Sequence, residues 1–205
     1  MRIVWDFGGV LFQWRPPELI KRELPQRAAT DEAAAHWVRE IFQGYEGDWG
    51  HFDRGTVEVP DLVQRIARRT GLTEAEVQSV VDGVPHELQP IRESVALLAQ
   101  ARAAGHSQVF LSNMPAPYAD HLEATHDFVG WFEDGVFSAR VKAIKPEPDI
   151  FALAAERFGV PPAELLFFDD HLPNIKAARA AGWHAEPFTD AAAALPALRA
   201  HGLID

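Results

Sequence analysis

The sequence predicts an α/β fold in which a parallel sheet carries helices on both faces and a helical segment is inserted after the first strand. Short, almost continuously apolar runs alternate with longer helical patterns, which is typical of a parallel sheet buried on both faces. Polar residues follow several of these runs, where the carboxyl ends of parallel strands meet. In contrast, residues 15–90 contain helical patterns and no convincing strand.

The composition indicates a protein with one sizeable core. The chain has 205 residues, 47% of them hydrophobic, and a formal net charge of −11. That charge argues against a nucleic-acid partner or an anionic membrane, but not against a small phosphate, which needs only local positive charge. The absence of cysteine excludes disulfides and thiolate metal sites. No leader-like or membrane-length apolar stretch is present, so we expect a cytoplasmic protein; the sequence does not indicate its oligomeric state.

The first predicted strand covers residues 3–7 and contains an unexpected carboxylate. Asp6 is followed at once by Phe7, Gly8 and Gly9. Strands disfavour aspartate, and glycines permit a sharp turn or the close approach of a ligand. Asp6 is therefore either a turn residue or a catalytic carboxylate. The residues that follow the other predicted strands distinguish these two interpretations.

The segment after this strand predicts a helical insert. Helical patterns cover residues 30–43, 57–71 and 73–83, and we interpret the Gly-rich stretch "GYEGDWGHFDRG" at residues 44–55 as a connection. We expect a core made of residues 1–14 and 91–205, with residues 15–90 as the insert. Such an insert either covers a site as a cap or simply packs on the sheet.

The rest of the chain alternates again between strands and helices. Strands are predicted at residues 108–112, 165–168 and 184–188, and helices at 91–105, 147–159 and 172–182. Each of these helical patterns ends in a glycine, a plausible C-cap. Ser112 and Asn113 follow one strand and Asp169 and Asp170 another, while Lys145 stands before the proline that opens a helix.

These polar residues form a candidate metal site when they meet at one edge of the sheet. Asp6, Asp169 and Asp170 would repel one another unless positive charge lies among them, and Lys145 alone supplies too little. A hard divalent cation with oxygen ligands fits, and Mg²⁺ accepts sites with few carboxylates and several waters. Each signal is weak alone, and their common position after successive strands carries the prediction.

Four motifs in this order resemble those of the haloacid dehalogenase-like hydrolase superfamily. They are "IVWDFGGVL", "VFLSN", Lys145 with Pro146, and "LLFFDDHLPNIKAARAAGW". The insert lies where many members carry an α-helical cap, and "WGHFDRGTVEVPDLVQRI" is similar to the cap of a subgroup that includes alpha-glucose-1-phosphate phosphatases. The resemblance implies a Rossmann-like core and a Mg²⁺-dependent phosphatase of a small phosphorylated metabolite, with sugar phosphates as candidates.

The resemblance also implies a role for each site residue. Asp6 would be the nucleophile that forms an aspartyl-phosphate. Lys145 would compensate charge, and Ser112 and the backbone N–H of Asn113 would help it to hold the phosphoryl oxygens. Asn174 would support the site or serve only as a helix-start residue. The implied metal ligands are Asp6, the Gly8 carbonyl, Asp170 and, beside it, Asp169.

One position departs from the pattern of phosphatases in this superfamily, which usually carry a second aspartate where Gly8 stands. Glycine cannot transfer a proton, a contribution typically worth ~10²–10⁴-fold. A residue of the insert could replace it, with Glu46, His51 and Asp53 as candidates, although loop positions favour solvated side chains. Alternatively, the leaving group needs less help, as an anomeric sugar oxygen does.

Two other functions remain open. In a 2-haloacid dehalogenase Asp6 would displace halide from carbon, which needs neither a proton donor nor a metal; the adjacent Asp169 and Asp170 argue against it. The chain could also be a non-catalytic binding protein of the same fold. The presence together of Asp6, Ser112, Lys145 and Asp170 argues against that alternative.

Overall fold

The computed structural model describes residues 1–204, in which five strands form one parallel sheet. Its strand order is β3-β2-β1-β4-β5, and every neighbouring pair is parallel. The central strand β1 therefore lies between β2 and β4, and the residue after β1 is flanked by the ends of both. The strands are β1 (Arg2–Trp5), β2 (Gln108–Ser112), β3 (Asp134–Phe137), β4 (Leu165–Asp169) and β5 (His184–Pro187).

The predicted α/β class is confirmed, and the strand that the sequence did not predict is β3. This edge strand has four residues and begins with Asp134 and Gly135, both of types that strands disfavour. Packing explains why glycine stands in this strand, because a Cβ on Gly135 would lie 2.0 Å from the Phe110 ring of the neighbouring strand. Glycine thus makes room for a core aromatic.

Helices cover both faces of the sheet. Alternate residues of β1 belong to two separate apolar clusters: Ile3 and Trp5 belong to the cluster that also includes the buried residues of the insert, and Val4 belongs to the cluster on the opposite face. The helices are α1 (Pro16–Glu23), α2 (Asp31–Phe42), α3 (Gly47–Asp53), α4 (Val59–Thr70), α5 (Glu74–Glu87), α6 (Arg92–Ala103), α7 (Ala116–Thr125), α8 (Ser138–Val141), α9 (Pro148–Phe158), α10 (Leu172–Ala180) and α11 (Ala191–Ala200). None of these helices has the length and apolar character needed to span a bilayer, within the part of the chain described.

The stretch at residues 44–55 is helical, so its interpretation as a plain connection was wrong. A short 3₁₀ turn at Gln43–Tyr45 leads into α3, which ends at Asp53. Glycine in a helix costs about 1 kcal/mol relative to alanine, and burial of Trp49 and Phe52 offsets this cost. The division of the chain at residues 15 and 90 stays a prediction.

Candidate active site

The chain turns sharply after β1 and thereby presents Asp6 at the carboxyl edge of the sheet. The Asp6 backbone N–H donates to the Phe168 carbonyl at 3.0 Å, which ties this residue to β4. Gly9 follows with a positive φ of 73°, and a Cβ there would lie 2.2 Å from an Asp170 carboxylate oxygen. Gly9 is needed because the turn and the approach of Asp170 leave no room for a side chain.

Lys145 lies between two of the carboxylates. Its Nζ is 2.9 Å from Asp6 Oδ1 and 2.6 Å from Asp169 Oδ2, and it also donates to the Leu111 carbonyl. Asn113 fixes the lysine backbone, because its side chain accepts from the Lys145 N–H and donates to the Lys145 carbonyl. Burial lowers the pKa of Lys145, but the two carboxylates outweigh burial, so the pKa is raised and the ammonium stays charged.

The two adjacent aspartates occupy different environments. Asp169 is fully buried and accepts hydrogen bonds from Lys145, from Asn174 Nδ2 at 3.0 Å and from the His171 N–H at 2.8 Å. The Asp170 carboxylate has no side-chain hydrogen bond to another described residue, and it lies against Gly9. Asp169 therefore positions Lys145, whereas Asp170 is open to a ligand.

The donor set fits a hard divalent cation. Carboxylate oxygens of Asp6, Asp169 and Asp170 lie within 4.8 Å of one another. Burial raises the pKa of Asp6, Lys145 lowers it and the other two carboxylates raise it, which together bring the pKa to about 8. When ionised, the three carboxylates therefore carry more negative charge than one lysine compensates. Asn174 Oδ1, which is buried and without a hydrogen-bond partner among the described residues, would suit a water of a hydrated ion.

A cavity of about 220 Å³ opens above these carboxylates and has two unlike walls. We call them the polar wall and the apolar wall. The polar wall comprises Asp6, Asn113, Lys145, Asp170, His171 and Asn174. The apolar wall comprises Trp14, Trp49, Val84, Leu88, Met114 and Tyr118.

The cavity also contains Asp53, one of three proton-donor candidates from the insert. Asp53 is only 5% exposed, whereas Glu46 and His51 are exposed and do not line the cavity. Its carboxylate has no hydrogen bond or ion pair within residues 1–204. Burial raises the pKa of Asp53 to about 8, with Lys145 lowering it and Asp6 raising it. The structure thus brings a neutral, unpartnered carboxyl into the cavity at neutral pH.

Contacts with the core hold Asp53 in this position. Ser138 Oγ donates to the Asp53 carbonyl, and the Arg54 guanidinium pairs with Glu147. Lys142 Nζ donates to the Gly55 carbonyl. The end of α3 is therefore fixed to the core at Asp53 and at the two residues that follow it.

The remaining predicted residues occupy distinct positions. Ser112 is buried at the end of β2 and does not line the cavity, although its hydroxyl has no hydrogen bond to any described residue. Gly8 lines the cavity with an ordinary φ, and the nearest atom to an added Cβ is Trp14 Cβ at 3.8 Å. The backbone therefore does not impose glycine at position 8. Trp14 and Trp49 also line the cavity.

Comparison with known proteins identifies the class to which this fold and site belong. The sequence profile of haloacid dehalogenase-like hydrolases matches residues 2–182. The chain belongs to this family of hydrolases, as its four motifs predicted. The sesquiterpene phosphatase astK of Aspergillus oryzae is 26% identical over 96% of this chain and 93% of its own length. The phosphoglycolate phosphatase of Escherichia coli K12 is 34% identical over 85 residues, 42% of this chain and 34% of that enzyme.

Solved structures share the fold. A family enzyme of Bacteroides thetaiotaomicron, bt-2542, in complex with magnesium and inorganic phosphate, has a TM-score of 0.70 at 21% identity, covering 91% of this chain and 92% of its own. The L-2-haloacid dehalogenase of Xanthobacter autotrophicus, with chloropropionic acid covalently bound, has a TM-score of 0.68 at 19% identity, covering 100% and 84%. At these identities the two likenesses show the shared fold, which does not decide between the chemistries that the sequence left open.

Proposed function

We propose that the protein is a Mg²⁺-dependent phosphatase that hydrolyses a small phosphate monoester through an aspartyl-phosphate on Asp6. The observation that carries the proposal is the cluster at the sheet edge. There Asp6 lies 2.9 Å from a buried, charged Lys145, and its oxygens lie within 4.8 Å of those of Asp169 and Asp170. Two phosphatases among the relatives support the reaction class.

Asp6 and Lys145 carry out the first half of the reaction. An Asp6 carboxylate oxygen attacks phosphorus, the bond between phosphorus and the ester oxygen breaks, and its electron pair leaves with the alcohol oxygen. Lys145 compensates the charge of the phosphoryl oxygens, while Asp169 and Asn113 hold the lysine in place. Mg²⁺ held by Asp6, Asp170 and the Gly8 carbonyl would reduce the repulsion between the carboxylate and the phosphate dianion.

Asp53 supplies the proton that Gly8 cannot. Its neutral carboxyl donates a proton to the departing alcohol oxygen and becomes a carboxylate. That carboxylate then accepts a proton from water, whose oxygen attacks phosphorus. The bond between phosphorus and Asp6 breaks, which releases inorganic phosphate and restores both aspartates. This role rests on the burial of Asp53 in the cavity and the lack of any partner for its carboxyl among the described residues.

The dehalogenase alternative is less well supported by this site. Displacement of halide from a carbon atom needs no cation, so a metal-free site would leave Asp6 and Asp170 poorly compensated by Lys145 alone. Asp169 does not relieve this charge imbalance, because its own carboxylate is paired with Lys145 as well.

A phosphate-release assay tests the proposal directly. The purified protein is incubated with a panel of monophosphate esters, after chelation with EDTA and again after addition of Mg²⁺. We expect release that chelation abolishes and Mg²⁺ restores. Undiminished release after chelation would exclude the metal-dependent mechanism. Halide release from 2-chloropropionate without phosphate release from any ester would favour the dehalogenase.

A further inference from the structure

The apolar wall presents few groups that could pair with a hydroxyl. Trp14 Nε1 already donates to the Tyr45 hydroxyl at 2.7 Å, and the Tyr118 hydroxyl donates to the Val81 carbonyl at 2.9 Å. Trp49 Nε1 has no hydrogen bond to another described residue, and the remaining members, Val84, Leu88 and Met114, have aliphatic or thioether side chains. A sugar lying against this wall would leave several hydroxyl groups without partners, and each such group weakens binding.

The apolar wall is also built in advance of any ligand. A continuous series of ring contacts runs from Trp14 through Phe42, Trp49 and Phe52 to Tyr118, with centroid distances of 5.6, 4.4, 5.7 and 5.7 Å. These rings fix one another in place, so an apolar ligand finds a formed surface. The surface joins the insert to α7 of the core.

The cavity volume gives the size of the group that the cavity can enclose. A space of about 150 Å³ accommodates benzene in a protein interior. The 220 Å³ of this cavity therefore holds a group of that size. About 70 Å³ then remains for the phosphoryl group, roughly the liquid volume of two waters.

We propose that the apolar wall is the binding site for the organic part of the substrate and selects monophosphates of compact hydrophobic alcohols, on the order of one six-membered carbon ring. This inference rests on the proposed phosphatase function and specifies its substrate class. This class differs from the sugar phosphates that the sequence resemblance offered as candidates. The Asp6 end takes the phosphoryl group, and the apolar wall takes the carbon skeleton.

A matched pair of substrates tests this selection. Cyclohexylmethyl phosphate and glucose 6-phosphate have the same ring size and the same primary leaving oxygen, and they differ mainly in the ring oxygen and the hydroxyl groups. With Mg²⁺ present, we expect kcat/KM to be more than about tenfold higher for cyclohexylmethyl phosphate, chiefly through a lower KM. Equal or faster Mg²⁺-dependent hydrolysis of glucose 6-phosphate would overturn the inference and leave the phosphatase function intact.

Two leucines of the insert provide a variant and its control. Leu88 and Leu72 are both buried near the end of a helix, Leu88 directly after α5 and Leu72 two residues after α4, but only Leu88 is among the residues that line the cavity. We expect Leu88→Ala to reduce the preference for cyclohexylmethyl phosphate at least threefold, and Leu72→Ala to leave the preference unchanged. Melting temperatures of both variants show whether loss of stability explains the change. An unchanged preference in a folded Leu88→Ala protein would contradict the assignment.

A binding measurement keeps the two proposals separable. Titration calorimetry of the Asp6→Asn protein with Mg²⁺ and each ester needs no turnover. Tighter binding of cyclohexylmethyl phosphate supports the apolar site. Tighter binding of glucose 6-phosphate overturns only the proposed substrate class. The phosphatase function itself fails if the native protein releases no phosphate from either ester or from 4-nitrophenyl phosphate.

Discussion

The two walls of the cavity are held in place by different forces. The polar wall is a hydrogen-bonded network in which Asp169 anchors Lys145 and Asn174, and Asn113 fixes the lysine backbone. The apolar wall is fixed by ring packing, and the carboxyl of Asp53 beside it has no partner in the described chain. The difference separates two tasks: the network positions charge for a phosphoryl group, while the packed surface determines what is attached to it.

Removal of the nucleophile from the polar wall has the largest expected effect. Asp6→Asn should lower kcat by about 10⁴-fold or more, because an amide neither attacks phosphorus nor binds a cation well. Since burial raises the pKa of Asp6, the native carboxylate is costly to bury, and the variant should melt at a temperature no lower than the native protein. Steady-state kinetics and thermal unfolding measure the two effects. Substantial turnover in a preparation free of native enzyme would remove Asp6 from the mechanism.

Loss of Lys145 should affect both stability and activity. Lys145→Ala leaves Asp6 and Asp169 buried without their common partner, and breaking such a pair typically costs about 3–5 kcal/mol of unfolding free energy. Denaturant unfolding measures this change, and turnover at saturating Mg²⁺ should fall at the same time. Lys176→Ala, which alters an exposed lysine on α10, is the control and should change neither quantity. A Lys145→Ala protein of native stability would contradict the account of the polar wall.

Asp53 should matter for some leaving groups and not for others. Asp53→Asn should lower kcat by about 100-fold for alkyl phosphates and by less than about threefold for 4-nitrophenyl phosphate, whose leaving group needs no proton. Asp48→Asn, on the same helix but outside the cavity, is the matched control. An equal loss for both substrates would indicate a structural role instead.

The pH profile separates the proton donor from a structural residue. Asp53 donates a proton only below its pKa of about 8, so kcat for an alkyl phosphate should fall as the pH rises through 8. The profile is recorded at saturating Mg²⁺, because Asp6 must be ionised to attack and its own pKa is raised in the same range. In Asp53→Asn this fall should disappear.

The smallest expected effect is a gain of function at Gly8. A Cβ fits there with its nearest contact at 3.8 Å, so Gly8→Asp in the Asp53→Asn background should restore alkyl phosphate hydrolysis by about tenfold. The neighbouring Gly9→Ala should instead reduce activity and stability, since its φ is positive and Asp170 occupies the space. Failure of Gly8→Asp to restore alkyl phosphate hydrolysis, in a folded protein that still hydrolyses 4-nitrophenyl phosphate with Mg²⁺, would argue that Asp53 is not the missing proton donor.

The polar wall could be predicted from the sequence, and the apolar wall largely could not. Asp6, Lys145 and Asp170 each have a local signal in the sequence: Asp6 and Asp170 come at the end of an apolar run, and Lys145 stands before a proline. The parallel sheet then brings such positions together. The burial of Asp53 has no local signal. It requires α3, which forms although glycine-rich because Trp49 and Phe52 pack against Phe42 and Tyr118. Likewise, β3 depends on packing between Gly135 and Phe110 that a short acidic segment does not reveal.

The most direct test of the central proposal is chemical trapping of the phosphorylated enzyme. The protein is mixed with Mg²⁺ and substrate, quenched rapidly in acid and treated with borohydride, which reduces an acyl-phosphate to an alcohol. Mass spectrometry of the peptide that contains Asp6 should then show homoserine at position 6, only when both Mg²⁺ and substrate were present. A burst of phosphate release with unmodified Asp6, or modification of a different residue, would contradict the account.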